Sequence, residues 1–349
     1  MWIDFSSKEK IFSSFILKKQ NEKNNNWKKS IFSFLKDWFN NKPIILSLSS
    51  GTTGIPKILS LRKEHMYKRA VRTVEFLKLN KKRGIKGLLC LSPDFIASKM
   101  FLVRAIIFKW KIYCTPPSSN PLKNIKEYFD ITSMVPVQVF FSLKYLKYIK
   151  IVLIGGYSIS IFLEKKLKNI STICYATYGM TETSGHIAMK KVNGSNRSTF
   201  YKSFKDIILS VDDRNCLKIF STCCMDSFLQ TNDIVHMISE NTFTWIGRYD
   251  NVINSGGIKI IPELIEKEIS FFIPYEKRFF ISSIPDKILG EKIVLVIEGK
   301  PFSLHIPDSI FNGNKKFYKP KNIFFISHFT KNLLSKFRRK EIMKKLLKT

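Results

Sequence analysis

The sequence predicts an α/β fold: a large N-terminal α/β domain with a parallel sheet and a β-rich subdomain, followed by a small C-terminal α+β domain. Three observations carry this. Short apolar runs alternate with helical-period segments from Pro43 to about Tyr178. Short β-like runs dominate beyond Ser195, and after "GRYDN" (247–251) a compact mixed pattern begins. Alternation of the first kind argues for βαβ units and a largely parallel sheet. At 349 residues and 44% hydrophobic, the chain can bury cores for two domains.

In order, "PIILSL", "GLLCLS", "KIYCT", "ITSMV" and "KIVLIGG" read as strands, with helices beginning near Lys63, Ile96, Val137 and Ile161. "DIILSVDD", "CLKIFST", "DIVHMIS" and "TFTWIG" supply the β-rich part. "GGIKII", a helix from Pro262, "RFFISSI", "KIVLVIEG", "NIFFISH" and a basic terminal helix form the remainder. The division falls between residues 249 and 250, giving units 1–249 and 250–349. The opening "MWIDFSSKEKIFSSFILKKQ" has apolar positions at helical spacing and lacks the order of a signal peptide. "IVLIGGYSISIFL" is too short for a membrane span and is broken by two glycines. A soluble, cytoplasmic protein is expected.

The charge is extreme, 59 Lys+Arg against 27 Asp+Glu for a net +32. A nucleic-acid footprint clusters on one element or face. Here the lysines are spread throughout, as compositional drift spreads them, and no nucleic-acid partner is expected. A basic cleft would also draw small anionic substrates. The six cysteines show no CxxC pair or paired metal-ligand spacing, and read as reduced thiols.

"SLSSGTTGIPK" (47–57) is the chemically loaded stretch. The chain has only 15 glycines in 349 residues, yet two of them fall here, just past an apolar run. Gly51 and Gly54 free successive backbone N–H groups to form an anion nest, and Ser49, Ser50, Thr52 and Thr53 add hydroxyl donors. Lys57 adds a cation. This suits a polyphosphate; the alternative is a solvated linker. It is not a Walker A loop, because the Gly-to-Lys spacing is wrong and no Ser or Thr follows Lys57.

The loop resembles the signature of the adenylate-forming superfamily, which includes acyl- and aryl-CoA synthetases, luciferases and adenylation domains. "YGMTET" (178–183), "TND" (231–233), "GRYDNVINSGGIKIIPELIE" (247–266) and "TKNLLSKFRRK" (330–340) resemble its other motifs in the same order. The resemblance implies ATP and CoA as co-substrates, with Mg²⁺ held by Glu182. It implies Thr181 on the α-phosphate and Tyr178, with Gly179 and Met180, at the adenine, where Gly155 and Gly156 let backbone approach. Asp233 is expected on the ribose, Arg248 on ribose or phosphate, and Lys336 at the reacting carboxylate. The small C-terminal domain is implied to be a mobile lid, bringing Gly256 and Gly257 to the CoA channel.

Three departures stand out. Thr330, Asn332 and Ser335 replace the usual Pro, Thr and Gly around the terminal lysine, and Lys331, Arg338 and Lys340 compete with Lys336. Asn251 follows the Gly-Arg-x-Asp group, so the hinge is either Asp250 or Asn251. The phosphate loop begins near residue 47, whereas most of the superfamily has a long subdomain ahead of it. That economy resembles the short o-succinylbenzoate–CoA ligases of menaquinone biosynthesis, as do "SSNPL" and "MVPVQ". Such an acid carries a second carboxylate, for which Lys99, Arg104, Gln138, Ser184 and His186 are candidates. Two alternatives remain: another acid with CoA or a carrier protein as acceptor, and a non-catalytic basic protein that binds nucleic acid or anionic lipid.

Overall fold

The computed structural model describes residues 1–7, 9–11, 26–48, 57–329 and 339–347. The strands are β1 (Trp2–Asp4), β2 (Ile44–Leu48), β3 (Ile58–Arg62), β4 (Lys86–Leu89), β5 (Lys111–Cys114), β6 (Phe129–Met134) and β7 (Ile149–Ile154). Next come β8 (Ile173–Met180), β9 (Gly185–Lys191), β10 (Tyr201–Ser203), β11 (Ile207–Val211), β12 (Cys216–Ser221), β13 (Leu229–Ser239) and β14 (Thr242–Arg248). The last five are β15 (Ile253–Ser255), β16 (Ile258–Ile260), β17 (Phe279–Asp286), β18 (Gly290–Glu298) and β19 (Asn322–Ile326). The α-helices are α1 (Asn26–Phe39), α2 (Lys63–Phe76), α3 (Ile96–Ile107), α4 (Pro136–Phe141), α5 (Ile161–Leu167), α6 (Pro262–Ile269) and α7 (Arg339–Leu346).

One twelve-stranded sheet runs β1-β5-β4-β6-β7-β8-β9-β10-β14-β13-β12-β11. Its pairs from β5 through β8 are parallel, and those from β8 through β11 are antiparallel. The reversal at β8–β9 is where crossover helices stop and hairpins begin. The parallel strands are nearly continuous apolar runs because both faces are covered. On one face Met66, Ala70 and Val74 of α2 and Phe101, Leu102 and Val103 of α3 pack with Trp110. On the other, Val139 of α4 and Leu163 and Leu167 of α5 pack against Val152 and Ile154. A five-stranded sheet begins only after Arg248, in the order β16-β15-β18-β17 with β19 parallel to β18. It buries Ile260, Ile265, Ile269 and Leu295.

Two elements depart from the sequence reading. "PIILSL" does not join the parallel sheet. Its β2 pairs with β3 as a separate antiparallel hairpin, so residues 49–57 connect two strands of that hairpin. At the N-terminus, β1 adds antiparallel to β5, with the Met1 ammonium donating to Cys114 O at 2.9 Å. Among the described residues no helix is long and apolar enough to cross a membrane.

A buried ion pair fastens α2 to the antiparallel half. Arg69 Nη2 lies 3.2 Å from Asp206 Oδ2, with the side chains 1% and 2% exposed. Arg69 also donates to Ser221 Oγ at 3.0 Å, and Ser221 donates to Asp206 at 2.7 Å. Burial alone would raise the Asp206 carboxyl, but Arg69 and the Ser221 and Cys223 hydrogen bonds leave it below the ordinary value. A folded-state value below the unfolded one stabilises above the unfolded value, near about 3.9, and the gain is lost as pH falls through the folded value. Asp206→Asn, which strands a buried guanidinium, is therefore predicted to cost about 3–5 kcal/mol at neutral pH. In denaturant unfolding, the gap from wild type should shrink below about pH 4.

Candidate active site

The β8–β9 reversal builds the site. β8 ends in Tyr178-Gly179-Met180, the chain turns through Thr181–Ser184, and β9 returns from Gly185. The turn is closed by one hydroxyl: Thr183 Oγ1 accepts from Met180 N–H at 3.1 Å and donates to Gly185 O at 2.6 Å. Buried Ser184 takes φ 55°, an uncommon left-handed value for a side-chain-bearing residue. At Gly179 the strands approach so closely that a Cβ would stand 2.3 Å from Gly185 O, so only glycine fits.

Thr181 is 3% exposed, and its hydroxyl donates to Leu48 O at 3.5 Å. Leu48 is the last residue of β2, directly before Ser49. The base of the predicted phosphate loop is thus attached to the Tyr–Thr–Glu turn, 133 residues further on. Ser49, Ser50, Gly51, Thr52, Thr53 and Gly54 lie outside the described residues; Lys57 is exposed just before β3. Glu182 is exposed beside Thr181, and among the described residues no cation or donor pairs with its carboxylate. A carboxylate without a partner among the described residues offers the hard oxygen that Mg²⁺ takes.

Behind the turn lies the Asp233 carboxylate, 6% exposed. Tyr178 Oη donates to Asp233 Oδ2 at 2.7 Å, while Trp245 Nε1 and Arg248 Nη1 each donate to Oδ1 at 3.2 Å. Residues 233 and 248 face each other across the β13–β14 ladder, which explains their meeting. Burial, then the neighbouring Asp233 charge, pushes the Tyr178 phenol well above its ordinary value. Burial pulls Arg248 down, but Asp233 and Asp250 outweigh it and leave Arg248 raised. The Tyr178 ring meets Phe243 edge-on at 5.1 Å. Trp245 was not singled out in the sequence; its place three residues before Arg248 was the available signal.

Gly155 and Gly156 end β7, with Gly155 N–H on Met134 O at 3.1 Å and Gly156 exposed. Asp250 accepts from Arg248 at 2.7 Å and from Asn232 at 2.9 Å, whereas Asn251 donates to Glu263 Oε1 of α6 at 2.6 Å. Gly256 and Gly257 take φ 59° and 81° in the two-residue turn between β15 and β16. That hairpin geometry is itself sufficient reason for the pair. Lys331, Lys336 and Arg338 lie outside the described residues, and Lys340 is exposed on α7.

The acyl-pocket candidates separate. Gln138 is spent on structure: its Nε2 donates to Cys90 O and Ser118 O at 3.1 and 2.9 Å, and its Oε1 accepts from Val135 N–H. Lys99 donates to Leu46 O at 2.9 Å, bracing β2 ahead of the loop. His186 sits 3.0 Å from Thr73 Oγ1, its imidazole held well below its usual value by burial and by Arg104 and Arg69. Arg104 is different. It is 2% exposed on α3, and among the described residues it has no ion pair or hydrogen bond, with Nε buried and unmatched. Burial pulls its guanidinium down to about 9.

No protein-family model matches the chain. A solved acyl-CoA synthetase (AMP-forming)/AMP-acid ligase II-like protein of Dyadobacter fermentans is 30% identical, covering 99% of this chain and 100% of that one at a TM-score of 0.63. The 2-succinylbenzoate–CoA ligases of Salmonella typhimurium and Escherichia coli are 24% and 23% identical over 77% and 79% of this chain. The chain spans 61% and 63% of their lengths. The Bacillus subtilis o-succinylbenzoate coenzyme A synthetase, solved with ATP and magnesium ion, shares the fold at a TM-score of 0.69 and 18% identity, over 85% of this chain and 69% of that one.

The Tyr178–Asp233 bond joins the two halves of the sheet through a charge-assisted contact. Tyr178→Phe is predicted to lower unfolding free energy by about 1.5–3 kcal/mol, measured by chemical denaturation.

Proposed function

We propose that this chain, which belongs to the adenylate-forming acyl-CoA synthetase family, is a cytoplasmic o-succinylbenzoate–CoA ligase of menaquinone biosynthesis. The observation that carries the reading is Arg104. A buried cation without a counter-ion is costly, and a site that keeps one suits an anionic ligand. o-Succinylbenzoate has two carboxylates, one to be activated and one left to meet Arg104. A monocarboxylic acid would leave the guanidinium unmatched. The named activity of the curated relatives supports the same acid.

The chemistry needs no protein nucleophile. A carboxylate oxygen of the acid attacks the α-phosphorus of ATP in line, pyrophosphate leaves, and an acyl adenylate forms. The CoA thiolate then attacks the acyl carbon and AMP leaves with the bonding pair. Positioning and charge stabilisation do the work. In this reading the backbone N–H groups and hydroxyls of residues 49–54 hold the phosphates, and the Thr181 hydroxyl turns from its 3.5 Å contact with Leu48 O to donate to the α-phosphate. Tyr178, Gly155 and Gly156 frame the adenine. Asp233 offers about four acceptor positions, three of them already used, so binding both ribose hydroxyls displaces one of the longer contacts. Mg²⁺, when held by Glu182, would neutralise phosphate charge.

The units 1–249 and 250–349 would act as body and lid. Asp250 is bonded to the large sheet and Asn251 to α6, which supports a pivot at one or other of these two residues. One lid position would bring Lys336 to the reacting carboxylate, and the other the Gly256–Gly257 turn to the CoA channel.

Pyrophosphate release should depend on o-succinylbenzoate and fail with benzoate or octanoate. Arg104→Met should keep or raise the melting temperature while raising KM for o-succinylbenzoate about 10-fold or more, as loss of a charge-assisted contact implies. Turnover of benzoate or octanoate without o-succinylbenzoate activity would contradict the substrate. Lys336→Ala should slow adenylate formation by about 100-fold or more, the scale of losing one preorganised charge-stabilising group. It should spare thioester formation from supplied acyl adenylate; equal loss in both steps would reassign the lysine.

A further inference from the structure

The turn after β12 places adjacent cysteines against a buried carboxylate, remote in role from the nucleotide site. Cys223 Sγ lies 3.3 Å from Cys224 Sγ and 3.3 Å from Asp206 Oδ2. The three ligand atoms all lie within 4.8 Å of one another. Cys224 and Asp206 are buried, and Cys223 is partly exposed. We propose that Asp206, Cys223 and Cys224 form a binding site for a thiophilic divalent cation, with Zn²⁺ the best match to two sulfurs and one oxygen.

The spacing fits. Tetrahedral zinc with ordinary bond lengths puts two sulfurs about 3.8 Å apart and sulfur and oxygen about 3.6 Å apart. The Cys223–Cys224 and Cys223–Asp206 distances need to open by about half an ångström or less, and the third pair, within 4.8 Å, to close by about 1.2 Å at most. The Cys223 S–H is directed at Asp206 Oδ2, and the metal takes the position of that proton. A fourth ligand would be water from the exposed side of Cys223, as catalytic and open zinc sites admit.

Charge and covalent geometry favour chelation over oxidation. Arg69 already neutralises Asp206, and Arg72 Nε lies 3.5 Å from Oδ1. Two thiol protons leave as the dication enters, so the buried charge is unchanged. A disulfide is the competing fate, but consecutive Cα atoms across a trans peptide stand about 3.8 Å apart, short of the about 4.4 Å an unstrained bridge needs. That strain makes a bridge readily reducible and favours the dithiol. Burial pushes the Cys224 thiol up to about 12, as it does Cys90, Cys114 and Cys174. Among the described residues only Cys223 and Cys224 set two thiols together, so a two-thiolate signal reports this site.

The site would tie the turn after β12 to α2 through Asp206, which Arg69 of that helix holds at 3.2 Å; the Cys224 thiol gives up its 3.6 Å contact to His65 O as its proton leaves. The test uses the full chain, reduced and stripped of metal, titrated with Co²⁺ as the spectroscopic probe and then with Zn²⁺. The expected result is one Co²⁺ per chain with thiolate-to-cobalt charge-transfer absorption, displaced by Zn²⁺, and a higher melting temperature with metal. Cys223→Ser, at the partly exposed position, should match the metal-free wild type in melting temperature. It should show weaker absorption per bound Co²⁺, because only the Cys224 thiolate remains, and bind Zn²⁺ at least about 10-fold more weakly, as loss of one ligand implies. Absence of thiolate-to-cobalt absorption in the wild type, or undiminished absorption and affinity in Cys223→Ser, would overturn the proposal.

Discussion

A buried carboxylate must be matched by donors, and the Asp233 carboxylate is matched by three drawn from different parts of the chain. Tyr178 comes from the last parallel strand, and Trp245 and Arg248 from the antiparallel half. Arg248 extends the contact to Asp250 at the exit toward the second sheet. Each polar partner is costly to leave unmatched in that setting, so the three strands are held in one register around a single anion. Tyr178 stands on β8, where the sheet changes from parallel to antiparallel, and open α/β sheets bind ligands beyond the carboxyl ends of their strands.

Two buried arginines on adjacent helices differ in what they meet. Arg69 on α2 is spent on Asp206 and Ser221 and fastens the helix. Arg104 on α3 has no acid of its own among the described residues. Burial first, and then both arginines, hold His186 well below its usual value. Arg104 lies over the Phe101 ring at 5.8 Å, and a buried guanidinium without a counter-ion is costly for stability.

Much of this was legible in the sequence because its signals are local. Period-two and period-3.6 patterns placed the helices at Lys63, Ile96 and Ile161 and the strands from "GLLCLS" onward, since a short apolar run bounded by turn residues has few other fates. The meeting of Asp233 and Arg248 was legible once "DIVHMIS" and "TFTWIG" were read as strands, because a hairpin with its turn near residue 240 sets them opposite one another. What escaped was long-range. A five-residue apolar run does not reveal its partner, so β2 was assigned to the parallel sheet when β3 takes it. Gln138 and Lys99 looked available because their main-chain partners, Cys90 O, Ser118 O and Leu46 O, leave no mark in composition. The cysteine pair lacked any spacing motif, since its third ligand sits 17 residues away in sequence and is brought in by the β11–β12 hairpin.

The central claim is that one crevice joins the Asp233 carboxylate, the Thr181 turn and the loop that follows Leu48. A crystal structure of the protein with a non-hydrolysable acyl-adenylate mimic tests it most directly. The account predicts ribose hydroxyls on Asp233, the phosphate-equivalent group beside Thr181, and the acyl arm reaching toward Arg104. A mimic bound elsewhere, or with its ribose away from Asp233, would contradict it.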